Sequence, residues 1–199
     1  LHDEIKGANT FSTLLSPGRI SQDLITKEVT KWSDKFSTLP KPFLTILIGG
    51  KTKAFNFNKE ECFYILETIS RSIQDGWTPL ISISRRTPKF LKNEIKNIVK
   101  NKPHYFYDNS GENPYYAFLG VSNIALVTPD SVNMVSETIT ANLSTYIFDL
   151  KCRSKRINKF IAKLEEENFI KKINGKINKF HFKKSNATRE IADHLAKLI

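Results

Sequence analysis

Gly49-Gly50, Arg85-Arg86 and the run Thr128-Pro129-Asp130-Ser131, with Glu137 six residues after Ser131, are the residues of this chain whose types suit one shared chemistry. Paired glycines let a backbone approach a ligand and leave N–H groups to receive an anion. Arginine carries a planar, permanently charged fork that grips phosphate with two hydrogen bonds. Adjacent arginines leave a strand end on opposite sides, so one of Arg85 and Arg86 can face a cleft. Ser131 opens a helical pattern whose first amides and positive dipole end attract phosphate, and Thr128 adds a hydroxyl. Glu137 is an acceptor-only carboxylate, suited to sugar hydroxyls. Asp130 reads as the N-cap of that helix, turned away so that its charge does not repel phosphate. The chemistry these residues suit is recognition of a phosphorylated sugar.

Other chemistries lack their residues. No G-x-S-x-G or H-E-x-x-H run occurs, and His2, His104, His181 and His194 are scattered. No D-x-D pair is present to bridge a metal and a sugar diphosphate, so no metal site and no cofactor are expected. Cys62 and Cys152 are far apart, which fits a reducing compartment rather than a disulfide scaffold. No apolar run approaches the ~20 residues of a membrane span. The chain opens on Leu1, reads as a piece of a longer polypeptide, and is expected in the cytoplasm.

Elements that would position these residues alternate along the chain. Apolar runs at 43–50, 79–84, 104–107, 124–128 and 144–148 read as five strands. Between them lie helical patterns at 58–76, from Pro88, at 113–121 with Pro114 at the first helical position, and after Asp130. Asn58 with Glu61 suggests a capping box, and Gly76 a C′ stop. Helices near 153–167 and 187–198 follow. Continuous apolar strands alternating with helices indicate an α/β, Rossmann-like doubly wound parallel sheet from about residue 41 to 199. Residues 1–40 differ: "QDLITKEVTKWSDKFSTL" is an amphipathic helix leading to a Pro-Lys-Pro hinge. In open α/β sheets ligands bind beyond the strands' C-terminal ends, and the candidate residues all fall there.

Net charge is +11, and residues 151–184 hold twelve Lys and Arg against three Glu. Such a field either solvates a surface or attracts a polyanion. No nucleic-acid-binding module accompanies it, so nucleic acid is not the expected partner. Contact with anionic lipid on the inner face of a membrane is the fitting alternative.

The runs "LTILIGG", "ISISRRTP", "SGENPYYAFLG" and "VTPDSVNMVSE", with the leading His2-Asp3, resemble in order the mitochondrial-fission (elongated-mitochondria) family and its bacterial relatives. Bacterial members look like glycosyltransferases of the GT-B type, with two Rossmann-like domains around a cleft. The resemblance implies that residues 1–40 are the end of the N-terminal domain with a crossover helix. Residues 41–199 would be the C-terminal, donor-binding domain. Gly49, Gly50, Arg85 or Arg86, Thr128 and Ser131 would meet the diphosphate of a nucleotide-sugar, and Glu137 its ribose. Tyr107 to Asn113, with Tyr115, would lie near the base. His2 and Asp3 would supply a general base beside a glycan or lipid-linked acceptor. The chain departs from the family at "LLSPGR", on the acceptor side. The plant relatives imply a different role: a non-catalytic scaffold that recruits a dynamin-like fission protein.

Overall fold

The structure, a computed structural model, describes Gly7 and residues 10–198. Six strands form one sheet: β1 (Phe43–Ile48), β2 (Thr78–Ile83), β3 (Tyr105–Tyr107), β4 (Ile124–Val127), β5 (Ser144–Ile147) and β6 (Ile170–Lys172). Their order is β3-β2-β1-β4-β5-β6, and every neighbouring pair is parallel. The chain therefore winds outward from β1 to β3, returns to the middle, and winds the other way from β4. That is the doubly wound order, with its switch point between β1 and β4. Five strands match the apolar runs of the sequence. β6 is an addition: a three-residue edge strand, with Lys171 and Lys172 exposed.

Among the described residues seven helices accompany the sheet: α1 (Gln22–Ser37), α2 (Lys59–Gln74), α3 (Lys89–Val99), α4 (Tyr115–Val121), α5 (Val132–Thr140), α6 (Lys155–Glu166) and α7 (Ala187–Leu195). Their starts follow local chemistry. Asn58 and Glu61 form the full capping box at α2, each side chain accepting the other's amide at 2.9 Å. Ser21, Ser154 and Asn186 accept the first-turn amides of α1, α6 and α7. Pro114 stands at the N-cap of α4, one residue before its expected place.

β1 and β4 are buried at every position, as central strands covered on both faces must be. On one face Leu44, Ile46 and Ile48 meet α2 and α3 through Ile65, Ile69, Leu91 and Ile95. On the other, Leu47, Ala125 and Val127 meet Ile25, Leu119, Val135 and Phe160 from α1, α4, α5 and α6. Trp32 and Phe36 of α1 add a third cluster with Phe43, Leu80 and Phe118. α1 lies so close to α4 that a Cβ on Gly120 would sit 2.3 Å from Val29 Cγ2 and 2.6 Å from Ile25 Cγ2.

Candidate functional site

The polar residues at the switch point form one connected corner. β1 ends in Gly49-Gly50, and the chain after β4 brings Thr128 and Asp130 alongside. The Gly49 amide donates to Thr128 Oγ1 at 2.7 Å, and the Gly50 amide to Asp130 Oδ2 at 3.1 Å. Thr128 Oγ1 donates onward to Asp130 Oδ1 at 2.7 Å. From the turn after β2, Arg86 Nη2 meets Asp130 Oδ2 at 3.3 Å. Thr87 ties that turn to β1, donating to the Gly49 carbonyl at 2.5 Å and accepting from the Ser84 amide at 3.0 Å.

These contacts correct two expectations. Asp130 is not the N-cap of α5; Ser131 is, accepting from the Met134 amide at 3.3 Å. Both residue types cap well, and the choice is tertiary: Asp130 is drawn to the Gly50 amide and Arg86, which frees the cap for Ser131. The glycine amides are not open to an anion either, since Thr128 and Asp130 accept from them. Small size is what the two glycines supply. A Cβ on Gly49 would lie within about 2 Å of both Asp130 carboxylate oxygens, and one on Gly50 would overlap the Arg86 backbone.

Electrostatically the corner is unusual. The Asp130 side chain is fully buried, whereas that of Arg86 is about half exposed. Burial raises the Asp130 carboxyl above its ordinary range, against the opposing pull of Thr128, the Gly50 amide and Arg86. Arg85 is exposed on the same turn.

A second pair lies farther along α5. Tyr115 Oη donates to Glu137 Oε2 at 2.6 Å. Burial and the Glu137 charge hold the Tyr115 phenol well above its usual range, so it stays a donor. Six residues of helix put Glu137 about 9 Å along the axis from Ser131. Residues 16–18 lie over this end of α5. The Ser16 amide donates to Ser136 Oγ at 2.9 Å, and its hydroxyl to Asn133 Oδ1 at 2.8 Å. Gly18 exchanges hydrogen bonds with the Thr188 hydroxyl, at 3.0 and 2.9 Å. A small cleft among Ser16, Gly18, Glu137, Thr140, Asn186 and Thr188 borders the carboxylate.

Gly49, Gly50, Arg86 and Thr128 are thus joined, with Ser131 next to them; Tyr115 and Glu137 are joined one to two turns on. Arg85 belongs to neither group, and Asn113 touches the second only through the Tyr115 backbone. Asn113 Oδ1 accepts the Tyr115 amide at 3.0 Å at the start of α4. His2 and Asp3 lie outside the described residues. Sequence reasoning missed Thr87 and the Tyr115–Glu137 bond. Thr87 was legible only as a neighbour of the arginines, and the Tyr–Glu pairing is a tertiary contact between residues 22 apart, reaching from the start of α4 to α5. Beyond the ends of β5 and β6 is a cavity of about 210 Å³, bordered by Pro129, Phe148, Leu150 and Cys152. Its rim carries Asp149 and Lys172, paired at 3.2 Å. Among the described residues no three His, Cys, Asp or Glu side chains gather around a common point.

A 3-2-1-4-5-6 parallel sheet with a polar, arginine-bearing corner at its switch point defines a Rossmann-like domain with a candidate anion site. The chain belongs to the Mitochondrial fission ELM1 family, whose model matches residues 1–199. The uncharacterized protein RP120 of Rickettsia prowazekii (strain Madrid E) is 29% identical over 165 residues, 77% of this chain and 46% of that protein. The Mitochondrial fission protein ELM1 of Arabidopsis thaliana is 23% identical over 150 residues, 75% of this chain and 35% of that protein. The chain thus spans less than half the length of these relatives. Among solved structures, Glycyrrhiza uralensis UGT73P12 complexed with glycyrrhetinic acid 3-O-monoglucuronide aligns with a TM-score of 0.47 and 16% identity. That alignment covers 84% of this chain and 34% of the other.

Proposed function

We propose that this chain is the donor-binding half of a GT-B-like glycosyltransferase, which binds a nucleotide-diphosphate sugar and passes the sugar to a glycan or lipid-linked acceptor. The observation that carries the reading is the spacing along α5. An arginine and a helix N-terminus stand at the switch point, and a half-buried carboxylate follows at about 9 Å. That separation suits a diphosphate at one end and a ribose at the other. Arg86, with Arg85 beside it, and the first amides of α5 would offset the charge that grows on the departing diphosphate, without a metal. Glu137, oriented by Tyr115, would accept from the ribose hydroxyls, and the cavity past β5 would receive the sugar. Residues 1–40 would be the end of a preceding domain and its crossover helix, with His2 or Asp3 as the acceptor-side base.

Contact with an anionic membrane through residues 151–184 belongs to the same reading. Part of that charge is internally balanced: Lys163 pairs with Glu166 and Glu167, and Lys172 with Asp149. Among the described residues no helix is long and apolar enough to cross a membrane.

The test is a thermal-shift panel of UDP, GDP, ADP and CMP with their sugars, run on the wild type and on Arg86→Ala and Glu137→Ala. A ligand at 100 times its Kd adds about 2.7 kcal/mol, or roughly 5–10 °C for a domain of this size. One nucleotide should stabilise the wild type and act more weakly on both variants. If none stabilises a demonstrably folded chain, the donor site is refuted and a non-catalytic role, in line with the mitochondrial fission named for the Arabidopsis relative, takes its place.

A further inference from the structure

Asp130 stands where a bound phosphate would be sought, and its contacts are those of a bound phosphate. Its carboxylate accepts from a backbone amide of the glycine turn, from a hydroxyl and from an arginine. We infer that Asp130 is a built-in counter-anion of the corner, holding Arg86 and setting how tightly the site takes a phosphate-bearing ligand. The inference rests on the proposed donor site and concerns its regulation.

Three features support it. Asp130 is not needed as a cap, since Ser131 fills that position. Arg86 is the charged group set against Asp130 among the described residues, reached from the turn after β2; Gly50 and Thr128 face it as neutral donors. The pair is asymmetric: the carboxylate is fully buried, while the guanidinium is about half exposed and can swing to an incoming phosphate. A ligand must therefore compete with Asp130 for Arg86, and it approaches a buried negative charge. Removing that charge without changing shape should strengthen anion binding. Asn at 130 keeps an oxygen for the Gly50 amide and offers its NH₂ to Thr128 Oγ1, so the strand ends stay tied. Burial also raises the Asp130 carboxyl, so lowering the pH should neutralise it and act like the substitution.

The experiment titrates inorganic pyrophosphate into the wild type and Asp130→Asn at pH 7.5 and fixed ionic strength, following the amide resonances of Gly50, Val132 and Asn133. Asp130→Asn should bind about five- to tenfold more tightly. Adding Arg86→Gln to both chains should shrink the difference, leaving only the direct repulsion of the ligand by the Asp130 charge. Equal or weaker binding by Asp130→Asn would overturn the inference and leave Asp130 as a brace between strand ends. Should that variant fail to fold, sulfate, which does not titrate in this range, is used on the wild type and Arg86→Gln from pH 8 to 4. Affinity rising more steeply for the wild type than for Arg86→Gln as the pH falls supports the counter-anion, and parallel profiles overturn it. UDP, GDP and ADP are run in parallel. If they bind no better than pyrophosphate, the nucleotide reading fails while the counter-anion stands.

Discussion

At the residue scale the corner turns on one carboxylate. Asp130 is buried, and its folded-state pKa is raised chiefly by that burial. The folded chain therefore holds the Asp130 proton at a pH where the unfolded chain has released it. The Asp130 contribution is fully present below the ordinary carboxylate range, is lost as pH rises from there through the raised folded value, and leaves the full penalty above it. Asp130→Asn removes the penalty while keeping the shape. It should melt higher than the wild type at pH 7.5, with the difference shrinking as urea or thermal melts are repeated down to pH 4. A variant less stable at pH 7.5 would mean that the Arg86 pairing outweighs desolvation. Glu137 calls for a different measurement. Its carboxylate accepts from Tyr115 at 2.6 Å, so Tyr115→Phe leaves it one donor short and should cost about 0.5–1.5 kcal/mol in denaturant melts.

At the element scale, local signals account for most boundaries. The capping box of α2 is complete in the sequence as Asn58 and Glu61, and both bonds form. Asn58→Ala should lower stability by about 0.5–2 kcal/mol without altering the sheet. Gly120 is subtler, because nothing around "AFLGV" announces why a helix should hold a glycine. The reason is α1, which passes where a Cβ would be. Gly120→Ala should therefore destabilise by about 1–3 kcal/mol, although alanine is the better helix former. The misses have the same origin. The start of α5 offers two competent caps in Asp130 and Ser131, and only the partner across the switch point chooses between them. β6 has three residues, two of them exposed lysines, so it carries almost no alternation to read. An edge strand of this kind is defined by its neighbour and by charges that discourage further pairing. In the site, residue types were legible and contacts were not: the glycines stood out as anion-compatible, yet their amides are committed to Thr128 and Asp130.

At the scale of the whole molecule the question is where this folded body begins. The Pro-Lys-Pro at 40–42 reads as a hinge, and the change in pattern there suggested a division between residues 40 and 41. Packing crosses that line. Leu15, Ile20, Ile25, Trp32 and Phe36 are all buried. Trp32 meets Tyr105 edge-to-face at 5.8 Å, and Phe36 stands against Phe43, Tyr105 and Phe118. Removing α1 would bare the apolar surfaces of Phe43, Leu80 and Phe118 and the flank of α4. Truncating one buried Trp or Phe to Ala typically costs 3–5 kcal/mol, and a domain's whole stability is about 5–15 kcal/mol. A chain of residues 41–199 should therefore lose its cooperative urea transition and bind a hydrophobic dye, whereas residues 1–199 should unfold in one sharp transition. Two substitutions separate lost packing from lost chain. Trp32→Ala should destabilise by about 3–5 kcal/mol. Trp32→Phe should cost much less than Trp32→Ala, because the buried Trp32 Nε1 has no hydrogen-bond partner to lose. If residues 41–199 instead unfold cooperatively at the midpoint of the full chain, α1 is a passenger on this surface, and the hinge marks the true edge of the domain.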